Sequence, residues 1–117
     1  MQVFGLHDSN KNPVMITPWI FMHFVVGVVV TRFIPDKGIG FSLHTIYEII
    51  DYIKYNNFYK GDPGEPGWYN NSVANSIGDT IGFVIGQFVS EYIGLSNTMV
   101  VILYFLFFYL FTQTKLG

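Results

Sequence analysis

Residues 72–93 read SVANSIGDTIGFVIGQFVSEYI, and the fold turns on how this stretch is placed. Small residues recur at every fourth position: Ala74, Gly78, Gly82, Gly86 and Ser90. Four-residue spacing puts them on one face of a helix. In water so many glycines weaken a helix. In an apolar surrounding they let a second backbone come close. Asn75 and Asp79 lie on the same side, so the polar face and the close-packing face coincide. An aspartate well inside an apolar helix is expensive to bury without partners. The stretch therefore predicts a helix whose glycine ridge meets another helix, within the chain or in a second copy, and whose Asp79 faces that neighbour.

The surroundings extend this reading. Asn12 to Thr31 carries no charged residue, and Met99 to Phe111 is unbroken apolar sequence. The chain has 117 residues, 50% hydrophobic, with 12% charged and mean hydropathy +0.37. An average soluble domain carries about 25% charged residues. The expectation is an all-α integral membrane helical bundle, a single membrane domain over 1–117. Its helices fall at about 13–34, 41–57, 72–93 and 96–113. Three of them are transmembrane; the amphipathic 41–57 helix either spans or lies at the interface. This implies a multi-pass protein partnered by the lipid bilayer, in a compartment the sequence does not identify. The first eleven residues read as a polar tail or surface segment without signal-peptide features. Residues 58–71, FYKGDPGEPGWYNN, read as a loop. It ends in the glycosylation triplet Asn70-Asn71-Ser72.

Several classes are excluded. A net charge of -2 offers no basic footprint for nucleic acid. With no Cys there is no disulfide, thiolate metal site or Cys nucleophile. No H-E-x-x-H, P-loop, G-x-S-x-G or dinucleotide fingerprint is present.

The chemistry rests on polar residues in apolar context. On the 41–57 helix His44, Glu48 and Asp51 share one side, opposite Ile46, Ile49, Ile50 and Ile53. His23 precedes Gly27 and Thr31 at four-residue intervals. A compact bundle brings His23, His44, Glu48, Asp51, Asn75 and Asp79 into one polar cluster. Imidazoles with carboxylates suit a divalent metal such as zinc, held by His44, Glu48 and Asp79, or a shared proton. No cofactor is required by any motif. Each of these residues also has a purely structural role open to it, as a hydrogen-bonded packing group.

The order Asn75-x-x-Gly78-x-x-x-Gly82 after a helix carrying Glu48 resembles the VanZ-like small membrane proteins. Ser72 to Asp79, after Tyr47-Glu48, also resembles a related uncharacterised bacterial membrane-protein family with an N-S-x-x-D element. The likeness covers residues 44–86. It departs at Asn71, where the VanZ-like pattern usually has Asp, and it lacks the arginine common between the two motifs. It implies a four-helix membrane protein with a polar cluster between the motifs, and no settled reaction.

The glycine ridge and the lack of a catalytic signature favour a structural or accessory membrane subunit of a larger assembly, a viral or organellar one included, reached through a protein partner or self-association. The alternatives are a VanZ-like membrane-embedded enzyme or metal-dependent protein using the cluster, and a small transporter or proton-conducting protein.

Overall fold

The computed structural model describes residues 1–9, 12–58 and 72–114. Among these residues two short strands, β1 (Gln2–Phe4) and β2 (Val14–Ile16), precede four helices: α1 (Ile20–Phe33), α2 (Lys37–Phe58), α3 (Val73–Val89) and α4 (Asn97–Thr114). A single 3-10 turn, Ser90–Tyr92, continues α3.

The expected multi-pass membrane architecture is corrected here. No helix among the described residues is long and apolar enough to cross a membrane. The reasons are local. The uncharged run from Asn12 does not become one helix, because Val14–Ile16 pairs with β1 in parallel, Gln2 opposite Val14 and Phe4 opposite Ile16. Thr17, before Pro18, stands where the helical conformation is disfavoured. The helix starts only at Ile20 and has 14 residues. That is about 21 Å, against a hydrocarbon core of about 30 Å. The α2 helix has the length, at 22 residues, but carries Lys37, His44, Glu48, Asp51 and Lys54. The 17 residues of α3 include Asn75, Asp79 and Gln87, all buried. In α4 the apolar run is flanked by Asn97 and Thr98 and by Thr112 and Gln113. Integral membrane localisation and the transmembrane description of the bundle are thus unsupported.

The first residues are also more than a tail. Asp8 is 1% exposed. Its Oδ1 accepts from Val14 N at 2.8 Å and from Ser72 Oγ at 2.7 Å, and its Oδ2 accepts from Ser72 N at 2.7 Å. Ser72 in turn caps α3, its Oγ accepting from Asn75 N at 3.1 Å. One carboxylate thus ties the N-terminal segment, β2 and the start of α3 together, at the helix end where negative charge is favoured. Asp8→Ala strands three buried donors and should lower unfolding stability by roughly 2–4 kcal/mol, read by urea denaturation. A loss below about 0.5 kcal/mol, the level of ordinary surface changes, would show that the tie carries no stability.

Helices α1 and α3 run parallel. Gly78 lies against Met15, Gly82 against Ile20, Gly86 against Phe24 and Gly27, and Ser90 Oγ donates to Val28 O at 3.0 Å. The partner numbers rise together, which fixes the direction. Ala74, at the head of the stripe, is half-buried. The α2 helix returns antiparallel: Gln87 Nε2 donates to Lys37 O at 3.0 Å near one end, and Glu48 reaches His23 near the other. The α4 helix also runs against α1. Arg32 donates to Leu95 O and Asn97 Oδ1 at one end, while the Trp19 and Phe111 rings meet at 5.2 Å at the other. Arg32 also donates to Ser90 O and Ile93 O, so its guanidinium collects the carbonyls where α3 ends.

The amphipathic helix is turned with its polar side inward. His44 and Glu48 are buried, while Ile46, Ile49, Ile50 and Ile53 are each more than half exposed. Periodicity gives the two faces of such a helix; it does not say which one is covered.

Candidate metal centre

Three helices deliver four side chains to one point. Antiparallel α1 and α2 put His23 beside His44 and, one turn on, Glu48. The parallel glycine contact with α3 puts Asp79 on the far side of the His23 ring. His23 Nδ1 lies 3.0 Å from His44 Nε2 and 3.4 Å from Glu48 Oε1. His44 Nε2 lies 3.4 Å from Glu48 Oε1. The three atoms form a near-equilateral triangle. The other nitrogen of His23, Nε2, faces Asp79 Oδ2 at 3.2 Å.

The second layer holds the rings in place. The His44 imidazole stacks on Phe83, one turn beyond Asp79, with centroids 4.2 Å apart and planes 20° apart. The two imidazoles meet edge to face at 5.2 Å. Tyr47 lies 6.2–6.4 Å from both rings. Phe83 is 1% exposed. Its contact was open to inference from the sequence, since Asp79 and Phe83 share a helix face. The pairing partner across the bundle was not.

Burial sets the protonation states. His23 is pushed down to about 3, by desolvation first and then by His44. His44 is pushed down to about 4 by desolvation. Both imidazoles are therefore neutral at pH 7, each with one nitrogen lone pair available. Asp79 is held well above the ordinary carboxylate range, by burial first and then by the charges of Glu48, Asp8 and Asp51. Among the described residues, Asp79 Oδ1 and His44 Nδ1 are buried without a hydrogen-bond partner.

Of the six residues expected to converge, four do. Among the described residues, the set with ligand atoms grouped closely enough for one ion is His23, His44 and Glu48. It differs from the expected His44, Glu48 and Asp79 by one member, since Asp79 stands behind His23. Asp51, one turn past Glu48, is half-buried, and its charge acts on Asp79. Asn75 belongs elsewhere: its Nδ2 donates to Val14 O at 3.2 Å, supporting the β2–α3 junction. The glycine ridge meets α1 and β2 of the same chain. Asp8 and Arg32, which organise the frame around the centre, carried no signal in the sequence beyond their charge. The asparagines of the glycosylation triplet lie outside the described residues.

A zinc-class ion binds imidazole nitrogen and carboxylate oxygen at about 2.0–2.2 Å in tetrahedral geometry, which separates neighbouring donors by about 3.3–3.5 Å. The edges of the triangle, 3.0, 3.4 and 3.4 Å, match one face of such a tetrahedron to within about 0.4 Å. Asp79 against Nε2 of His23, the nitrogen away from the triangle, has the place of an outer carboxylate that orients a metal-bound imidazole. Compared with protein-family models, curated proteins and solved structures, the chain matches none.

Proposed function

We propose that the chain is a metal-dependent protein that holds one divalent ion of the zinc class on His23 Nδ1, His44 Nε2 and Glu48 Oε1. The triangle of donors carries this reading. Its support is threefold: the donor types, their tetrahedral spacing, and two imidazoles that burial keeps unprotonated. Asp79 acts through His23 by accepting from Nε2–H, which fixes the tautomer that leaves Nδ1 free to ligate. Three protein ligands leave a fourth position for water or another donor, as in zinc sites that do chemistry. An ion there would also balance the Glu48 charge buried beside the two imidazoles.

Purified protein should take up one equivalent of zinc or cobalt per chain, and the cobalt form should show the visible absorption of tetrahedral coordination. Asp79→Asn should weaken affinity by about 10–100-fold, the range for losing an outer hydrogen-bond partner. His44→Ala and Glu48→Gln should weaken it further, because each removes a ligand. Uptake that is unchanged in His44→Ala and Glu48→Gln would overturn the assignment.

A further inference from the structure

A pocket of about 370 Å³ opens beside the centre, and both imidazoles, His23 and His44, form part of its wall. The rest of the lining is mostly aliphatic or aromatic, including Trp19, Val26, Val30, Leu43 and Phe108, with the phenols of Tyr47 and Tyr104. Among the described residues, no Lys, Arg, Asp or Glu lines it. The volume is more than twice the roughly 150 Å³ of an engineered cavity that admits benzene. An apolar pocket with a few convergent polar groups is the ordinary form of a small-molecule site.

The charge of the centre specifies the polar end of such a molecule. Within the coordination shell, two neutral imidazoles and one carboxylate leave a divalent ion with one positive charge; Asp79 stands outside that shell, behind His23, and offsets it only through the ring. No described side chain of the pocket wall supplies a compensating anion. We propose that the pocket takes an apolar monocarboxylate, its hydrocarbon part between Val26, Val30 and Phe108 and its head at the fourth coordination position. This assignment rests on the metal reading above and adds the class of ligand to it. The imidazoles, shared between cluster and pocket, are what bring head and tail to one place. An apolar wall gives affinity without fixing orientation; the ion fixes it.

The test titrates decanoate, and decanol as the uncharged control, into the zinc-loaded and zinc-free protein by calorimetry. The same titration into the cobalt form reports whether the visible spectrum changes. Decanoate should bind the zinc form at least about tenfold more tightly than the zinc-free form, the scale of one charge-assisted contact. Decanol should show no such difference, and decanoate should perturb the cobalt spectrum. Val26→Trp should fill the pocket and abolish decanoate binding while zinc uptake persists. Val30→Phe is the milder variant, to be used with circular dichroism as a check on folding. If zinc binds as expected but decanoate binding ignores zinc and both pocket variants, the ligand assignment is overturned and the metal centre stands. If zinc itself fails to bind, both fall together.

Discussion

Gly86→Ala should destabilise the protein by about 3 kcal/mol or more, although alanine is the better helix former by about 1 kcal/mol. A Cβ built on Gly86 would lie inside the van der Waals envelope of the Phe24 carbonyl oxygen, 3.0 Å from the Phe24 carbonyl carbon and 3.1 Å from Gly27 Cα. All three obstacles are backbone, so no side-chain rotation relieves the clash. The helices α1 and α3 would have to separate, and the neighbouring contacts lie along the same line. Gly27 meets the Phe83 carbonyl oxygen in the same way, and Gly78 meets that of Met15. Separation would also pull Asp79 from His23, now 3.2 Å away across that interface. Zinc affinity should therefore fall together with stability, although Gly86 is none of the three proposed ligands. Gly94→Ala is the control: nothing lies within 4 Å of a Cβ there, and its effect should stay within about 0.5 kcal/mol. Chemical denaturation of both variants decides the matter. Equal stability for Gly86→Ala and the parent would mean that the helices are not held at this distance.

The same interface shows what could be read from the sequence and what could not. The glycine stripe and Asp79 share a helix face at a spacing that depends only on helical geometry, so their coincidence was legible. So was the pairing of His44 with Glu48, one turn apart on α2. The convergence of His23, His44, Glu48 and Asp79 followed from an energetic argument: a buried carboxylate needs polar neighbours, and few candidates existed. The membership of the proposed ligand set was not legible. Whether Asp79 binds directly or stands behind His23 depends on the relative rotation of α1 and α3, which packing decides. Asn75 illustrates the limit. It lies one turn before Asp79, yet the turn at the start of α3 places it against Val14 O, a residue 61 positions away. The strand pair was invisible for a similar reason. Val14–Ile16 is apolar in a way that suits helix or strand, and only its pairing with Gln2–Phe4 selects the strand. That choice shortened α1 and removed the length on which a membrane-spanning reading depended. The orientation of α2 was ambiguous on principle. The spacing of its isoleucines separates an apolar side from a polar one, but only the neighbouring helices decide which side is covered.

The metal-free protein should gain stability from the two histidines of the cluster as pH rises toward 6.5, with Asp79 opposing that gain. The signs follow from three groups. Two histidines whose folded values lie at about 3 and about 4 stay neutral while their unfolded counterparts, at about 6.5, protonate. Their stabilisation is present above 6.5 and lost as pH falls below it. Asp79 behaves oppositely, because its folded value is raised well above 3.8. Its protonated folded form is favoured at low pH, and that advantage is lost as pH rises toward the raised value. Between about 4 and 6.5 the unfolded chain therefore binds two protons at the histidines, and the folded chain binds neither but keeps the Asp79 proton until its raised value is passed. The histidines alone give about 2.7 kcal/mol per pH unit, with stability rising toward neutrality, and Asp79 reduces that slope while it stays protonated. Above 6.5 the histidines no longer add to the slope. Asp79→Asn should remove the opposing contribution and steepen the ascending arm toward the full two-proton slope. Zinc should act on both features. At a free concentration a thousandfold above its dissociation constant it should add about 4 kcal/mol. It should also reduce the opposition from Asp79, because a cation beside His23 favours the ionised Asp79 that accepts from the ring. Urea denaturation across pH 4–9, with and without zinc, reads all of this. The assignment of Asp79 to the non-ligating side of His23 would be sunk by one pattern: Asp79→Asn leaving both the pH profile and the response to zinc unchanged.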